Sequence, residues 1–276
     1  MIKDFRQRVR VFTGVVILLA LLSPFARAHE GLHEQIVAVT AKIRRDPKNA
    51  SLYLQRGELH RLHRDWTRAA ADYDRAARLQ PSLTIIDLAR GKMLFESHRL
   101  QQAKFVLDRF LRRQPGHVEG FIARARVLAK MGARVQAAQD FTQALTSAPE
   151  PELYLERAQV LVEDERHIEE ALRGLDEGIH QLGPLVTLQL LAIDLESRRK
   201  NYDAALARLD LIAAQSERKE MWLVRRAEIL RNAGRIDEAR ATFKAALLAI
   251  ESLPPDRRQN RAVTALELRA RSGLKL

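Results

Sequence analysis

Residues 118–149 read VEGFIARARVLAKMGARVQAAQDFTQALTSAP, and this stretch decides the fold. Its apolar residues recur every three or four positions, which is typical of amphipathic helices. Gly132 lies near the middle, and a glycine between two such patterns is typical of a turn. Pro149 ends the stretch, as expected of a residue that cannot continue a helix. The segment therefore predicts two helices joined by a short turn.

The same pattern returns along the chain every 34 residues. An alanine column comprises Ala69, Ala103, Ala137, Ala171, Ala205 and Ala239, and the large residues four positions later are Tyr73, Leu107, Phe141, Leu175, Leu209 and Phe243. Gly57, Gly91, Ala125 and Ala227 precede the alanines by twelve residues, and Pro47, Pro81, Pro115 and Pro149 form a third column. A helix pair cannot bury both faces alone, so successive pairs must stack and share a core. The small residues mark places where two helices approach closely.

This arrangement of Gly/Ala, Ala-x-x-x-Phe and Pro at a 34-residue period resembles the tetratricopeptide repeat family. The resemblance covers residues 50–253 and implies an all-α fold, an α-solenoid of about six helix-turn-helix repeats. We place the repeats at 50–83, 84–117, 118–150, 151–185, 186–219 and 220–253. Residues 29–49 are expected to form an N-terminal half-repeat helix, its helical part at 32–45. Residues 254–276 are expected to form a C-terminal capping helix, with its helical part at 256–272.

Repeats four and five depart from the pattern. Ala158 stands one residue early, which predicts an extra residue in the turn near residues 164–166. Ile193 occupies a position where glycine or alanine is expected, and repeat five has no closing proline. We therefore expect repeat five to fit the family least well.

The first 28 residues have the features of a secretory leader. Four basic residues among the first ten precede an apolar stretch, Val11–Leu22, and Ala26-Arg27-Ala28 provides a small-residue cleavage site. The apolar stretch is too short to span a bilayer as a helix. We expect cleavage after Ala28, no membrane span in the mature chain, and a periplasmic or secreted location. An uncleaved N-terminal anchor is the alternative.

Composition excludes several classes of function. The chain has no cysteine, which excludes a lipoprotein anchor, a disulfide framework and thiol chemistry. Its formal net charge of +12 falls to +8 without the leader, which carries five basic residues and one acidic residue. Acidic residues alternate with the basic ones along nearly every expected helix. Nucleic-acid binders usually gather their positive charge on one face, so we expect no nucleic-acid partner.

An arginine precedes the small-residue column in most repeats, at Arg56, Arg90, Arg124, Arg157 and Arg226. In repeats one and three an aspartate follows sixteen residues later, which gives the pairs Arg56/Asp72 and Arg124/Asp140. We interpret these as ion pairs within a repeat.

The resemblance also implies a binding surface, because the first helices of such repeats line a groove that holds a peptide or another protein. Carried over position by position, the groove residues are Leu54, Glu58, Arg61, Lys92, Glu96, Arg126, Lys130, Gln159, Glu163, Asp194, Arg198, Glu228 and Arg231, with the aliphatic residues Leu62, Leu88 and Ile122 between them. Both signs of charge are present. A solvated face without a ligand is the alternative interpretation.

Histidines near the N-terminus suggest two kinds of metal chemistry. His29-Glu30-Gly31-Leu32-His33 matches the spacing of zinc peptidases, but it spans the expected cleavage site and no pocket-building domain surrounds it. Alternatively, cleavage gives His29 a free α-amine, and antiparallel packing of the first two helices brings His29 and His33 near His60 and His63. Imidazole ligands suit Cu, Ni or Zn. The simpler interpretation is that His60 fills a core position and the others are solvated.

No arrangement of nucleophile and base stands out, and the glycines are isolated rather than gathered in a phosphate-binding loop. We therefore expect a periplasmic protein–protein interaction scaffold that is not an enzyme and has no cofactor. A periplasmic metal-binding or metal-sensing protein using the histidine cluster is the alternative.

Overall fold

The computed structural model describes the backbone of residues 24–275 and the side chains of residues 31–275, and this part of the chain is all-α. Its helices are α1 (Pro24–Arg45), α2 (Ala50–Leu62), α3 (Trp66–Leu79), α4 (Ile85–Glu96), α5 (Leu100–Arg113), α6 (Val118–Lys130), α7 (Arg134–Leu145), α8 (Pro151–Leu161), α9 (Ile168–Leu182), α10 (Val186–Arg198), α11 (Tyr202–Ala214), α12 (Glu220–Asn232), α13 (Ile236–Glu251), α14 (Pro255–Arg258) and α15 (Arg261–Leu274). The predicted fold class is confirmed. No helix of the described part combines the length and the apolar character that crossing a membrane requires.

The helices divide into two compact units, with the boundary after Leu83. In the first unit α2 packs against both α1 and α3. In the second unit each even-numbered helix from α4 to α12 pairs with the helix that follows it. The second helix of one repeat also packs against the first helix of the next, as α5 does against α6. Local pairs of this kind are the architecture expected of stacked repeats.

The columns of small residues are the places where paired helices touch. All six alanines of the alanine column are at most 3% exposed. A Cβ added to Gly57 of α2 would lie 2.6 Å from Cε1 of Tyr73 on α3. In repeat two, a Cβ added to Gly91 would lie 2.6 Å from the Leu107 side chain. The predicted close approach is confirmed at both glycines.

A left-handed residue closes the turn between the two helices of most repeats. Positive φ occurs at Arg64, His98, Gly132, Lys200 and Gly234, all separated by multiples of 34 residues. The φ values lie between 59° and 78°, a region that glycine adopts readily and other residues adopt at a cost. Repeat four lacks this residue, since a 3₁₀ turn, Glu165–His167, lies where the sequence predicts an extra residue.

The column arginines connect three helices. Arg124 of α6 makes two hydrogen bonds of 2.7 Å to Asp140 on α7, and its Nη1 donates to Asp108 of α5 at 2.9 Å. Arg56 binds Asp72 in the same two-pronged way and donates to the Thr40 hydroxyl of α1 at 3.2 Å. The two predicted pairs are confirmed, and each arginine also reaches the helix before its own repeat.

The two ends of the described chain differ from the predicted bounds. The first helix begins at Pro24 rather than at residue 32. The capping segment is two helices rather than one, because Asn260 accepts a hydrogen bond from the Ala262 backbone N–H and starts a new helix there. Val263 and Ala270 of α15 are buried, and α15 packs against α12 and α13 as a cap should.

Candidate functional site

A pocket of about 290 Å³ opens among three successive first helices of the second unit. Phe95 of α4, Ala129 of α6 and Val160 of α8 supply apolar wall, and the buried Phe141 ring of α7 forms the floor. The polar rim consists of Arg126, Lys130, Glu156, Gln159 and Glu163. We call this the first-helix pocket. An apolar interior with a few polar groups around it is typical of a ligand site.

Ion pairs fix two sides of the rim. Arg126 donates two hydrogen bonds to Glu156, at 2.9 Å and 2.7 Å, and thereby links α6 to α8. The hydrogen bond to Glu156 raises the pKa of Arg126. Glu163 accepts a hydrogen bond of 2.8 Å from Arg134 of α7. Lys130 makes no ion pair with any residue that the structure describes, and therefore offers a free positive charge at the rim.

The first-helix pocket brings together four of the thirteen predicted groove residues, Arg126, Lys130, Gln159 and Glu163. The other predicted positions in the second unit are mostly engaged in ion pairs. Lys92 binds Glu119 at 2.8 Å, Asp194 binds Arg225, and Glu228 binds Arg269 at 2.6 Å. Each of these pairs joins two different helices, so these charges hold neighbouring repeats together.

The remaining predicted positions of the second unit lie at the ends of first helices. Glu96 is the exposed last residue of α4, and Arg231 is half-buried in the last turn of α12. Arg198 donates to the Val162 carbonyl at 3.3 Å and lies 3.9 Å from Glu165. None of these three lines the first-helix pocket.

In the first unit, the predicted groove residues form a small cluster on α2. Arg61 binds Glu58 at 3.0 Å, and the Tyr73 hydroxyl also donates to Glu58. Leu54 is half-buried. The carboxylate of Glu58 is thus held between an arginine and a tyrosine.

Two aliphatic residues expected in the groove belong to the core instead. Leu88 is 3% exposed and Ile122 is 8% exposed, so both assignments were wrong. Helices α4 and α6 are each in contact with helices before and after them, and these two side chains lie on the packed side. Leu62 is exposed, as a groove residue should be.

The described histidines do not gather into a metal site. Within the described side chains, no three His, Asp or Glu residues lie close enough to hold a metal ion. His33 and His63 are exposed, whereas His60 is buried 3.9 Å from Asp72. Burial lowers the pKa of His60 despite the nearby carboxylate. The side chain of His29 lies outside the described residues, and so do the zinc-peptidase pattern's Glu30 and the expected leader, residues 1–23.

The apolar half of the first-helix pocket escaped the sequence analysis. Phe95, Ala129 and Val160 occupy first-helix positions that a repeat pattern does not mark as special. One available signal was the spacing of Arg126 and Glu156, opposite charges 30 residues apart in successive first helices. Opposite charges at equivalent places in adjacent repeats indicate a bridge, and a bridge indicates which faces meet.

Comparison with known proteins agrees with this architecture. The tetratricopeptide repeat family model matches residues 38–83 and 190–256. The second match includes repeat five, the repeat that departs furthest from the pattern. No curated protein matches the chain significantly.

Solved structures of tetratricopeptide repeat proteins have a similar fold. The C-terminal part of a repeat-containing protein from Cytophaga hutchinsonii is 14% identical with a TM-score of 0.67, over 91% of this chain and 98% of that one. YrrB, described as having an unusual peptide-binding site, is 21% identical with a TM-score of 0.52, over 64% of this chain and 91% of that one. PilF from Pseudomonas aeruginosa is 15% identical with a TM-score of 0.51, over 81% of this chain and 98% of that one. At these identities the similarity is one of fold.

Proposed function

We propose that this chain, a tetratricopeptide repeat protein, is an exported and non-catalytic scaffold that binds a protein partner through its first-helix pocket. The observation that carries the proposal is the composition of that pocket. Three successive first helices supply an apolar wall, with Phe95, Ala129 and Val160, inside a charged rim. Burying one apolar side chain there contributes about 1.5–3 kcal/mol, which suits an anchor residue of a peptide.

The rim indicates the chemistry of the partner. Lys130 is a cation without an ion-pair partner in the described chain, and the whole protein carries a formal net charge of +12. Gln159 offers an amide that both donates and accepts hydrogen bonds, as a peptide backbone requires. We infer an extended peptide segment in which an acidic residue lies next to an apolar anchor.

The carboxylates of the rim support binding rather than catalysis. Glu156 and Glu163 are each held by an arginine, at 2.7 Å and 2.8 Å. A carboxylate paired with a guanidinium is stabilised in its charged form and is therefore a poor proton acceptor. General acid–base catalysis needs a group poised to exchange a proton near neutral pH.

The proposed export follows from the leader pattern of residues 1–28. Mass spectrometry of the protein recovered from a bacterial periplasm tests it directly. We expect a chain that begins at His29. A chain that retains Met1 and partitions with membranes would instead support the uncleaved anchor.

Selection from a phage-displayed library of random peptides tests the binding proposal. We expect enriched peptides with an apolar residue beside an acidic one, and synthetic versions should lose at least tenfold in affinity for Val160→Arg and Lys130→Glu. Two exposed residues outside the pocket provide matched controls, Val135→Arg on α7 and Lys244→Glu on α13. Peptides that bind all four variants equally, or a library that yields no enrichment, would contradict the proposal.

A further inference from the structure

A second and larger pocket, of about 410 Å³, lies between the second helices α7 and α9. Arg157 of α8 forms its base, Gln139 and Gln143 of α7 form one wall, and Arg173, Gly174 and Glu177 of α9 form the other. We call this the Arg157 pocket. Its volume is within the range of small-molecule sites.

The column arginines of repeats one and three show how this position is usually occupied. Each has a carboxylate three residues after the alanine column of its own repeat, Asp72 or Asp140. The helix before the repeat supplies a second partner five residues after its own equivalent position. That partner is Asp108 for Arg124 and Asp210 for Arg226.

Repeat four has lost both carboxylates at these two positions. Gly174 stands where Asp72 and Asp140 stand in the other repeats, and Thr142 stands where Asp108 and Asp210 stand. Arg157 nevertheless keeps its place and is 6% exposed, so a buried guanidinium remains without a buried acid beside it. A buried charge lacking a close partner is costly, which makes an unmatched arginine at a cavity unusual for a purely structural position.

The partners of Arg157 are weaker than those of the other column arginines. Its Nη1 is 3.3 Å from the Thr142 hydroxyl, and its Nη2 donates to the Gly174 carbonyl at 3.0 Å. Nη2 also donates at 2.7 Å to Glu177, a side chain that is 54% exposed. Glu177 is its one carboxylate partner among the described residues, and Nε donates to none of them. A half-exposed side chain can turn outward and release the guanidinium to a ligand.

We propose that the Arg157 pocket binds a small molecule through its carboxylate group, which takes the place that an aspartate of the chain holds in repeats one and three. Gly174 supplies the room, because any side chain there would crowd Arg157: an added Cβ would lie 2.7 Å from its Nη2. Arg157 presents the planar fork that matches a carboxylate.

The rest of the rim specifies the remainder of the ligand. Arg173 makes no ion pair within the described chain, whereas the acids Glu170 and Glu177 lie on the same helix and line the same pocket. When a ligand carboxylate displaces Glu177 from Arg157, Glu177 becomes free to accept a positive group. Two cations facing two carboxylates therefore favour a zwitterion such as a free α-amino acid over a simple anion.

This site is separate from the first-helix pocket. Both pockets use α8, but Glu156 and Val160 line the first-helix pocket while Arg157 and Leu161 line this one. Loss of peptide binding and loss of small-molecule binding can thus be measured independently, with Val160→Arg expected to leave the Arg157 pocket intact.

Isothermal titration calorimetry with glycine, L-alanine, acetate, succinate and inorganic phosphate tests the proposal on the full mature chain. We expect glycine or alanine to bind more tightly than acetate, and phosphate not to bind. Gly174→Asp should abolish binding, because it supplies the internal carboxylate that repeats one and three already have. Arg157→Gln should abolish it as well.

Gly174→Asp is the decisive variant because it is expected to fold and to melt at least as high as the unmodified chain. Arg112→Gln, an exposed arginine of α5, is the control for removal of a charge and should leave binding unchanged. Binding that persists in Gly174→Asp, binding of phosphate alone, or no binding of any probe would overturn the proposal.

Discussion

Gly57 and Tyr73 are in direct contact, so that a Cβ added to the glycine would meet the tyrosine ring at 2.6 Å. Tyr73 is fully buried and cannot move aside without disturbing the α2–α3 pair. We expect Gly57→Val to lower the free energy of unfolding by about 1–3 kcal/mol, the usual cost of overpacking. Chemical denaturation measures it. Gly116→Val is the control, because nothing lies within 4 Å of that glycine. Equal stability of the two variants would count against the assigned contact.

The turn column predicts a pair of opposite effects. Lys200 adopts a φ of 61°, where a Cβ is unfavourable, whereas Gly132 adopts a φ of 78° at the equivalent place in repeat three. We expect Lys200→Gly to raise the free energy of unfolding by about 0.5–1 kcal/mol, since relief of the left-handed strain exceeds the added freedom of the unfolded chain. Gly132→Ala should lower it by about 1 kcal/mol. Changes of the same sign in both variants would refute this explanation.

Removal of Arg124 should be costly because two carboxylates depend on it. Asp140 is 5% exposed and would be left buried without its guanidinium partner. We expect Arg124→Met to lower the free energy of unfolding by about 1–3 kcal/mol, the cost of an unsatisfied buried group. The double variant Arg124→Met/Asp140→Asn should recover part of that loss. A double variant that is less stable than the sum of the two single variants would contradict the pairing.

Burial of His60 predicts a dependence of stability on pH. The pKa of His60 is lowered by burial, and Arg56 and Arg68 add to the decrease, while Asp72 and Asp65 oppose it. The unfolded chain therefore takes up the proton first, at pH values near 6.5, and protonation favours unfolding. The stabilising effect of the neutral ring is complete above about pH 6.5 and is lost as the pH falls through the lower pKa of the folded state.

Thermal melts between pH 7.5 and 5 test this expectation. The unmodified chain should lose more stability over that range than His60→Leu, in which the titrating group is replaced by an apolar one. His63→Leu is the matched control, because His63 is exposed. Parallel pH profiles for the unmodified chain and His60→Leu would show that the buried ring does not titrate in the folded state.

Much of the helix-pair architecture could be predicted because it is written in residues that recur at a fixed period. Ala69 and its equivalents have a single physical role, close helix contact, so their spacing alone locates each pair. The ion pairs Arg56–Asp72 and Arg124–Asp140 followed from the same register. A periodic signal of this kind averages over the repeats and is therefore robust to departures in any one of them.

The candidate sites were harder to predict because they depend on how the repeats differ. The first-helix pocket exists where Phe95, Ala129 and Val160 happen to follow one another across successive helices. The Arg157 pocket arises from two substitutions, Gly174 and Thr142, that a search for conserved spacing treats as noise. Leu88 and Ile122 were misplaced for the opposite reason, since a first-helix position alone does not tell which side of the helix faces a neighbour.

The arginine column has a consequence for the order of the modules. Arg124 draws on Asp108 of the preceding repeat, and Arg157 finds Thr142 in the same place, so a repeat is complementary to a particular predecessor. Deletion or shuffling of whole modules would change these matches even where every helix still formed. A chain shortened by repeat three would set Asp108 opposite Arg157 and close the Arg157 pocket from within. The sequence of modules is thus part of the code of the protein, as the order of teeth is in a key, and lineages that gain or lose a repeat will alter ligand capacity and length together.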